Sequence, residues 1–143
     1  MSDPQQLRYT VDITSKDIDA IEAFLTTRTA EQLTAHEPGT TEHRMAGAVE
    51  WGVQDLVVDA RIALEWLADP EQADLHGGLD LRHDLGRAWN LLVRMTNPWR
   101  RHPGHDTARW CRVTYTNAQS EKDMKRGVER ARAARESREA ASA

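Results

Sequence analysis

The stretch TEHRMAGAVEWGVQDLVVDARIALEWL, residues 41–67, decides the fold. Apolar residues recur in it at intervals of three or four, as the buried side of an α-helix requires. These are Val53, Val57, Ala60, Leu64 and Leu67. Pro70 follows, so the sequence predicts one long helix over 41–67. Other large apolar residues widen the stripe and predict a helix covered on more than one side: Trp51, Val58, Ile62 and Trp66.

A helix is predicted on each side of this one. The first follows a cap at Thr14 or Ser15 and carries an apolar face that includes Ile18 and Phe24. The third begins at a cap formed by Asp80, after a linker over 71–78, and ends at Asn97–Pro98. Its apolar residues lie at near-heptad spacing: Leu81, Leu85, Ala88, Leu92 and Met95.

Two short stretches alternate apolar and polar residues, which is typical of strands. They are LRYTVDI, residues 7–13, and WCRVTYT, residues 110–116, in which Cys111, Val113 and Tyr115 share one side, with Cys111 facing inward. The predicted fold is therefore mainly α, a three-helix bundle with a possible short two-stranded β ribbon and a polar C-terminal helix. Residues 1–116 would form the bundle domain, with an extended N-terminal segment, and 117–143 a charged helix or tail.

Charge divides the chain of 143 residues into two unlike halves. Residues 1–80 carry a net charge of −11 and residues 81–143 a net charge of +7, which together give −4. No apolar run approaches the roughly 18–20 residues that span a bilayer, and the N-terminus lacks the features of a secretory signal. One cysteine, Cys111, suits a reducing compartment. We expect a cytoplasmic protein that does not contact membranes.

The histidines of the loop NPWRRHPGHDTARWCRV, residues 97–113, raise the possibility of a metal site. His102, His105 and Cys111 give the pattern H-x2-H-x5-C, and zinc accepts imidazole and thiolate ligands. The pattern matches no established zinc motif, and a structural turn shaped by Pro103–Gly104 is the alternative. We therefore expect no metal and no cofactor. No catalytic signature stands out in the sequence. A metal-dependent hydrolase is therefore only the third interpretation of function, after the two binding functions described next.

The arginines and tryptophans of the basic half favour binding. The candidate residues are Trp99, Arg100, Arg101, Arg109, Arg112, Arg126 and Arg130. The first interpretation is a non-enzymatic interaction protein that presents an acidic bundle face and this basic region to a protein partner or to copies of itself. The alternative is nucleic-acid binding, with arginines on phosphates and rings stacked on bases.

LLVRMTNPWRRHPGHDTARW, residues 91–110, resembles the C-terminal end of small uncharacterised helical proteins of actinobacteria and their phages. The residues that carry the resemblance are Leu91, Leu92, Trp99, His102, Pro103 and Trp110. It implies a GC-rich bacterial or phage source. It implies no activity and no site residue, because that family has none to transfer.

Overall fold

A computed structural model of the protein describes residues 6–143. This range contains five α-helices and no strand, so the prediction of a mainly helical chain is confirmed. The helices are α1 (Ser15–Ala35), α2 (Thr41–Ala68), α3 (Pro70–His76), α4 (Gly78–Thr96) and α5 (Ala118–Ala141).

Helices α1, α2 and α4 pack against one another around one apolar core. Thr14 begins α1 as predicted, because its hydroxyl accepts a hydrogen bond from the amide of Asp17 while the Asp17 carboxylate accepts one from the amide of Thr14. The predicted stripe of α2 faces this core, where Val53 and Val57 are buried. From α4 the core receives Trp89 and Leu92, both fully buried.

The segment predicted as a linker is the short helix α3, so that prediction is wrong. The side chain of Asp69 accepts a hydrogen bond from the amide of Glu71, and Pro70 occupies the first turn, where its missing N–H is not needed. The predicted cap of α4 at Asp80 is also wrong. The helix begins at Gly78, directly after Gly77, whose φ of 76° suits glycine.

Helix α2 contacts α1, α3 and α4, but three of the four residues that widen its apolar stripe are not covered. Trp51, Val58 and Ile62 are exposed, with Trp51 at 76% of its accessible surface. The fourth, Trp66, is partly buried and stacks on His76 of α3 with ring centroids 3.7 Å apart. Among residues 6–143, α2 therefore presents an apolar stripe that nothing covers.

The β ribbon is also a wrong prediction. Residues 10–12 form a 3₁₀ turn, and the stretch 110–116 lies next to it without strand geometry. Two backbone hydrogen bonds join them, from the amides of Thr10 and Val11 to the carbonyls of Tyr115 and Thr116, at 3.1 and 3.2 Å.

A side chain of α4 explains why no strand pairing follows. The amide of Asn90 donates to the carbonyl of Val113, and its oxygen accepts from the N–H of Val113, both at 2.8 Å. Asn90 thus satisfies the two backbone groups that a neighbouring strand would have used. Of the three residues predicted to share one side of this stretch, Val113 is buried, whereas Cys111 and Tyr115 are only partly buried.

Helix α5 extends from the bundle, and every residue from 122 to 143 is exposed. Its first turn contacts the N-terminal segment, where the hydroxyl of Tyr9 donates to a carboxylate oxygen of Glu121 at 2.5 Å. Within residues 6–143, no helix combines the length and the apolar character needed to cross a membrane.

Candidate anion-binding groove

The loop that follows α4 closes one end of the bundle around the ring of Phe24. Four aromatic rings of the loop surround Phe24, with centroids 4.9 to 6.5 Å from its own, mostly edge to face. They belong to Trp99, His102, His105 and Trp110. The histidines are therefore part of an aromatic cluster, an arrangement that stabilises the loop through ring contacts.

The hydrogen bonds of His105 also assign it to the loop structure. Its Nε2 lies 2.9 Å from the hydroxyl of Thr96, which itself donates to the carbonyl of Val93, so Nε2 carries the proton. Its Nδ1 lies 3.1 Å from the hydroxyl of Thr107. Burial, reinforced by the charge of Arg100, lowers the pKa of His105 and keeps the ring neutral.

The other two metal candidates are engaged in the same way. Nδ1 of His102 accepts a hydrogen bond from the amide of Gly104 at 2.9 Å, and its Nε2 contacts the guanidinium of Arg28. The thiol of Cys111 lies 3.3 Å from two carbonyls, those of Thr107 and Ala108. In the part of the chain that the structure describes, no three His, Cys, Asp or Glu side chains are grouped to hold a metal.

Beside this loop, a groove of about 1040 Å³ runs between α4 and residues 105–116. Five arginines line it, three on α4 and two on the chain that follows. They are Arg82, Arg87, Arg94, Arg100 and Arg112, and all are exposed. We call this surface the arginine groove.

The charge of the arginine groove is not neutralised from within. No Asp or Glu of residues 6–143 lines it, and none lies within 4.0 Å of its guanidinium nitrogens. Arginines elsewhere do form ion pairs with carboxylates: Arg8, Arg28, Arg61 and Arg109. Five cations along one groove with no carboxylate in its lining create a positive potential, and a concave surface focuses it.

Hydrogen bonds and close packing hold residues 111–113 and the N-terminal segment against α4, on both sides of the groove. Asn90 and Trp89 fix residues 111–113 to α4, since Nε1 of Trp89 donates to the carbonyl of Cys111 at 2.9 Å. Gly86 lets the N-terminal segment approach α4 closely, because a Cβ at this position would lie 3.2 Å from the hydroxyl oxygen of Thr10. The arginines on the two walls are thus attached to a rigid frame, which limits the ordering cost of binding a ligand.

The structure divides the residues predicted for binding among several places. Arg100 and Arg112 line the arginine groove, whereas Arg101 is exposed outside it. Trp99 is partly buried against Phe24. Arg109 forms an ion pair with Asp17. Arg126 and Arg130 lie exposed on α5.

Sequence reasoning missed the three groove arginines of α4. Arg82, Arg87 and Arg94 come from the polar side of a helix whose apolar side was correctly predicted. A helical projection of residues 81–96 could have found Arg87 and Arg94, because it places them opposite the core stripe, whereas Arg82 lies on its flank.

Comparison of the chain with protein-family models, with curated proteins and with solved structures finds no match. The resemblance of residues 91–110 to actinobacterial and phage proteins therefore gains no support from them. The groove is interpreted from its own geometry.

Proposed function

We propose that the protein binds nucleic acid through the arginine groove, by contacts to the phosphodiester backbone. One observation carries this proposal: five exposed arginines line a single groove to which the described residues contribute no carboxylate. A guanidinium presents a planar fork of donors that matches two phosphate oxygens, and it stays charged at any physiological pH. A row of such groups fits a polyanion better than it fits a single small anion.

Recognition would depend on the backbone rather than on the bases. The tryptophan that lines the groove, Trp110, is buried, and Trp99 is not part of the lining, so neither ring is placed to stack on a base there. Phosphate contacts carry no direct sequence information. We therefore expect binding that varies little with sequence and falls steeply with salt, as counterion release requires.

The test is fluorescence anisotropy with a labelled DNA duplex and a labelled RNA strand at several salt concentrations. If all five arginines contact phosphates of a duplex, the logarithm of affinity should fall against the logarithm of salt with a slope of about −4.5. Arg94→Ala/Arg112→Ala should reduce the magnitude of that slope by about 2 and weaken binding at low salt by about tenfold or more.

The matched control removes the same charge outside the groove. Arg44 lies on α2 and Arg138 on α5, and both are exposed. Arg44→Ala/Arg138→Ala should change affinity far less than the groove variant does. Equal losses in the two variants, or no binding by the unaltered protein at low salt, would contradict the proposal.

The protein partner that the sequence also predicts stays a prediction, because its candidate residues lie in several places: Trp99, Arg100, Arg101, Arg109, Arg112, Arg126 and Arg130.

A further inference from the structure

Helix α5 has an apolar stripe that the described bundle does not cover. It is 24 residues long, and none of its residues is buried. Met124 and Val128 are 57% and 62% exposed, and Ala131 continues their line at helical spacing. In proteins, an amphipathic helix gains most of its stability from packing its apolar side. The exposed stripe is therefore available to a partner.

A receiving surface of matching character exists on the bundle. A second groove, of about 510 Å³, lies between α2 and α4. Most of its lining is apolar: Leu56, Ile62, Ala63, Trp66, Leu81, Ala88 and Leu91. Ile62 connects this α2–α4 groove to the exposed residues Val58 and Trp51 farther along α2. A fourth helix laid there would cover the side of α2 that its sequence marks as apolar.

The charges of the two surfaces are complementary. Asp59 and Asp84 line the α2–α4 groove together with one cation, Arg87, and Asp55 is exposed in the adjacent turn of α2. Helix α5 carries seven Lys and Arg against five Asp and Glu. Attraction of this kind orients partners as they approach and weakens as salt is added.

The apolar stripe of α5 is shorter than that of α2 and would cover only part of it. At 1.5 Å per residue, residues 124–131 of α5 span about 10 Å and residues 51–62 of α2 about 16 Å. The whole of α5 spans about 36 Å, which leaves room for its basic residues to extend past the apolar contact.

We propose that α5 of one copy of this chain docks into the α2–α4 groove of a second copy, reciprocally, to form a dimer. A second copy supplies the required chemistry without any other partner, because each chain carries both a basic helix with a short apolar stripe and the acidic apolar groove. A chain does not cover its own groove in this way, since Glu121 holds the start of α5 against Tyr9 and Arg8 while the helix extends into solvent. The twofold arrangement uses each surface twice, as isologous dimers do.

The experiment is sedimentation velocity of the full chain over a range of concentrations, with two aspartate variants of α5. Val128→Asp places a carboxylate on the apolar stripe, and Ala133→Asp places the same charge at an exposed position of α5 off that stripe. The unaltered protein should form dimers whose dissociation constant rises with salt. Val128→Asp alters both contacts of the dimer and should raise that constant by about a hundredfold or more, and Ala133→Asp should leave it within about threefold.

A mixing experiment identifies the surface that α5 contacts. Ile62→Asp disrupts the groove and leaves α5 intact, whereas Val128→Asp does the reverse. Each variant alone should stay monomeric, but their mixture should regain one intact contact and form a heterodimer at about tenfold higher concentration. Circular dichroism checks that both remain helical. A monomeric unaltered protein, equal effects of Val128→Asp and Ala133→Asp, or a mixture that stays monomeric would each overturn the proposal.

The outcome is separate from that of nucleic-acid binding. A monomer that still binds DNA through the arginine groove would remove the dimer and leave the first proposal intact.

Discussion

Arg109 and Asp17 form a two-point ion pair that joins the loop after α4 to the first turn of α1. Nε of Arg109 donates to Oδ1 of Asp17 at 2.9 Å, and Nη2 donates to Oδ2 at 2.6 Å. Nη2 also lies 3.3 Å from the carbonyl of Asp12. Oδ2 of Asp17 also accepts hydrogen bonds from the amide and the hydroxyl of Thr14, both at 2.9 Å. An arginine expected at an interface thus contributes to the fold.

Loss of this pair should destabilise the protein. Asp17→Asn removes the carboxylate charge that Arg109 contacts at two points, which should cost about 2–3 kcal/mol of the free energy of unfolding. Chemical denaturation measures the loss. Asp19→Asn is the control, because it removes the same charge from the exposed ion pair with Arg61 and should cost less than about 1 kcal/mol. Similar losses in the two variants would contradict the interpretation.

The stability gap between the unaltered protein and Asp17→Asn should narrow in acid. Burial raises the pKa of Asp17, but hydrogen bonds from Arg109 and Thr14 outweigh it, and the pKa lies below its usual 3.8. A lowered pKa means that the ion pair stabilises fully above 3.8 and loses its contribution as pH falls through the folded value. Chemical denaturation at a series of pH values measures the difference in free energy of unfolding between the two proteins. A difference that stays constant in acid would contradict the assignment of this stability to the ionised Asp17.

Asn90 should matter to both stability and binding, although it carries no charge. Asn90→Ala removes two hydrogen bonds at 2.8 Å and should cost about 2 kcal/mol. Because these bonds fix one wall of the arginine groove, DNA affinity should also fall. Asn97→Ala, an exposed position that lines the same groove, is the control and should change both quantities little. An unchanged DNA affinity in a folded Asn90→Ala protein would show that binding does not depend on the hydrogen bonds between Asn90 and Val113.

The histidine loop should stabilise the fold without zinc. His105→Ala removes the ring between Phe24 and Trp110 together with a hydrogen bond to Thr96, so the thermal midpoint should fall. His83→Ala alters an exposed histidine and should leave it nearly unchanged. Calorimetry with added zinc and with a chelator should give the same midpoint for the unaltered protein. A rise with stoichiometric zinc would restore the metal interpretation.

The core helices were predictable because their signal is local. Spacing of three to four residues in α2 and the heptad pattern in α4 follow from one turn of helix and need no knowledge of neighbours. Helix α3 was missed although Asp69–Pro70 is a recognisable start signal, because its seven residues bury nothing and show no apolar period.

The places that the predicted binding residues occupy depend on tertiary contacts. Asp17 and Arg109 are 92 positions apart, so no local pattern could pair them. The alternation of residues 110–116 predicted a strand, but Asn90 of α4 supplies the hydrogen bonds that would have come from a neighbouring strand. The arginine groove combines one side of α4 with a loop, and the density of Arg between residues 97 and 113 indicated only the second part.

The position of α5 should depend on the ionised form of Glu121. Hydrogen bonds from Tyr9 and Lys125, with help from the charge of Arg8, lower the pKa of Glu121 to about 2. The contact therefore stabilises the start of α5 fully above the usual value of 4.5 and loses its effect as pH falls through about 2. Carbon-13 NMR of the side-chain carboxyl groups measures the titration directly. Tyr9→Phe removes the leading hydrogen bond and should raise the pKa of Glu121 toward 4.5, whereas Tyr115→Phe, which removes a hydroxyl that does not contact Glu121 in the described structure, should leave it in place. A Glu121 that titrates at its usual value in the unaltered protein would mean that the first turn of α5 is not held against Tyr9.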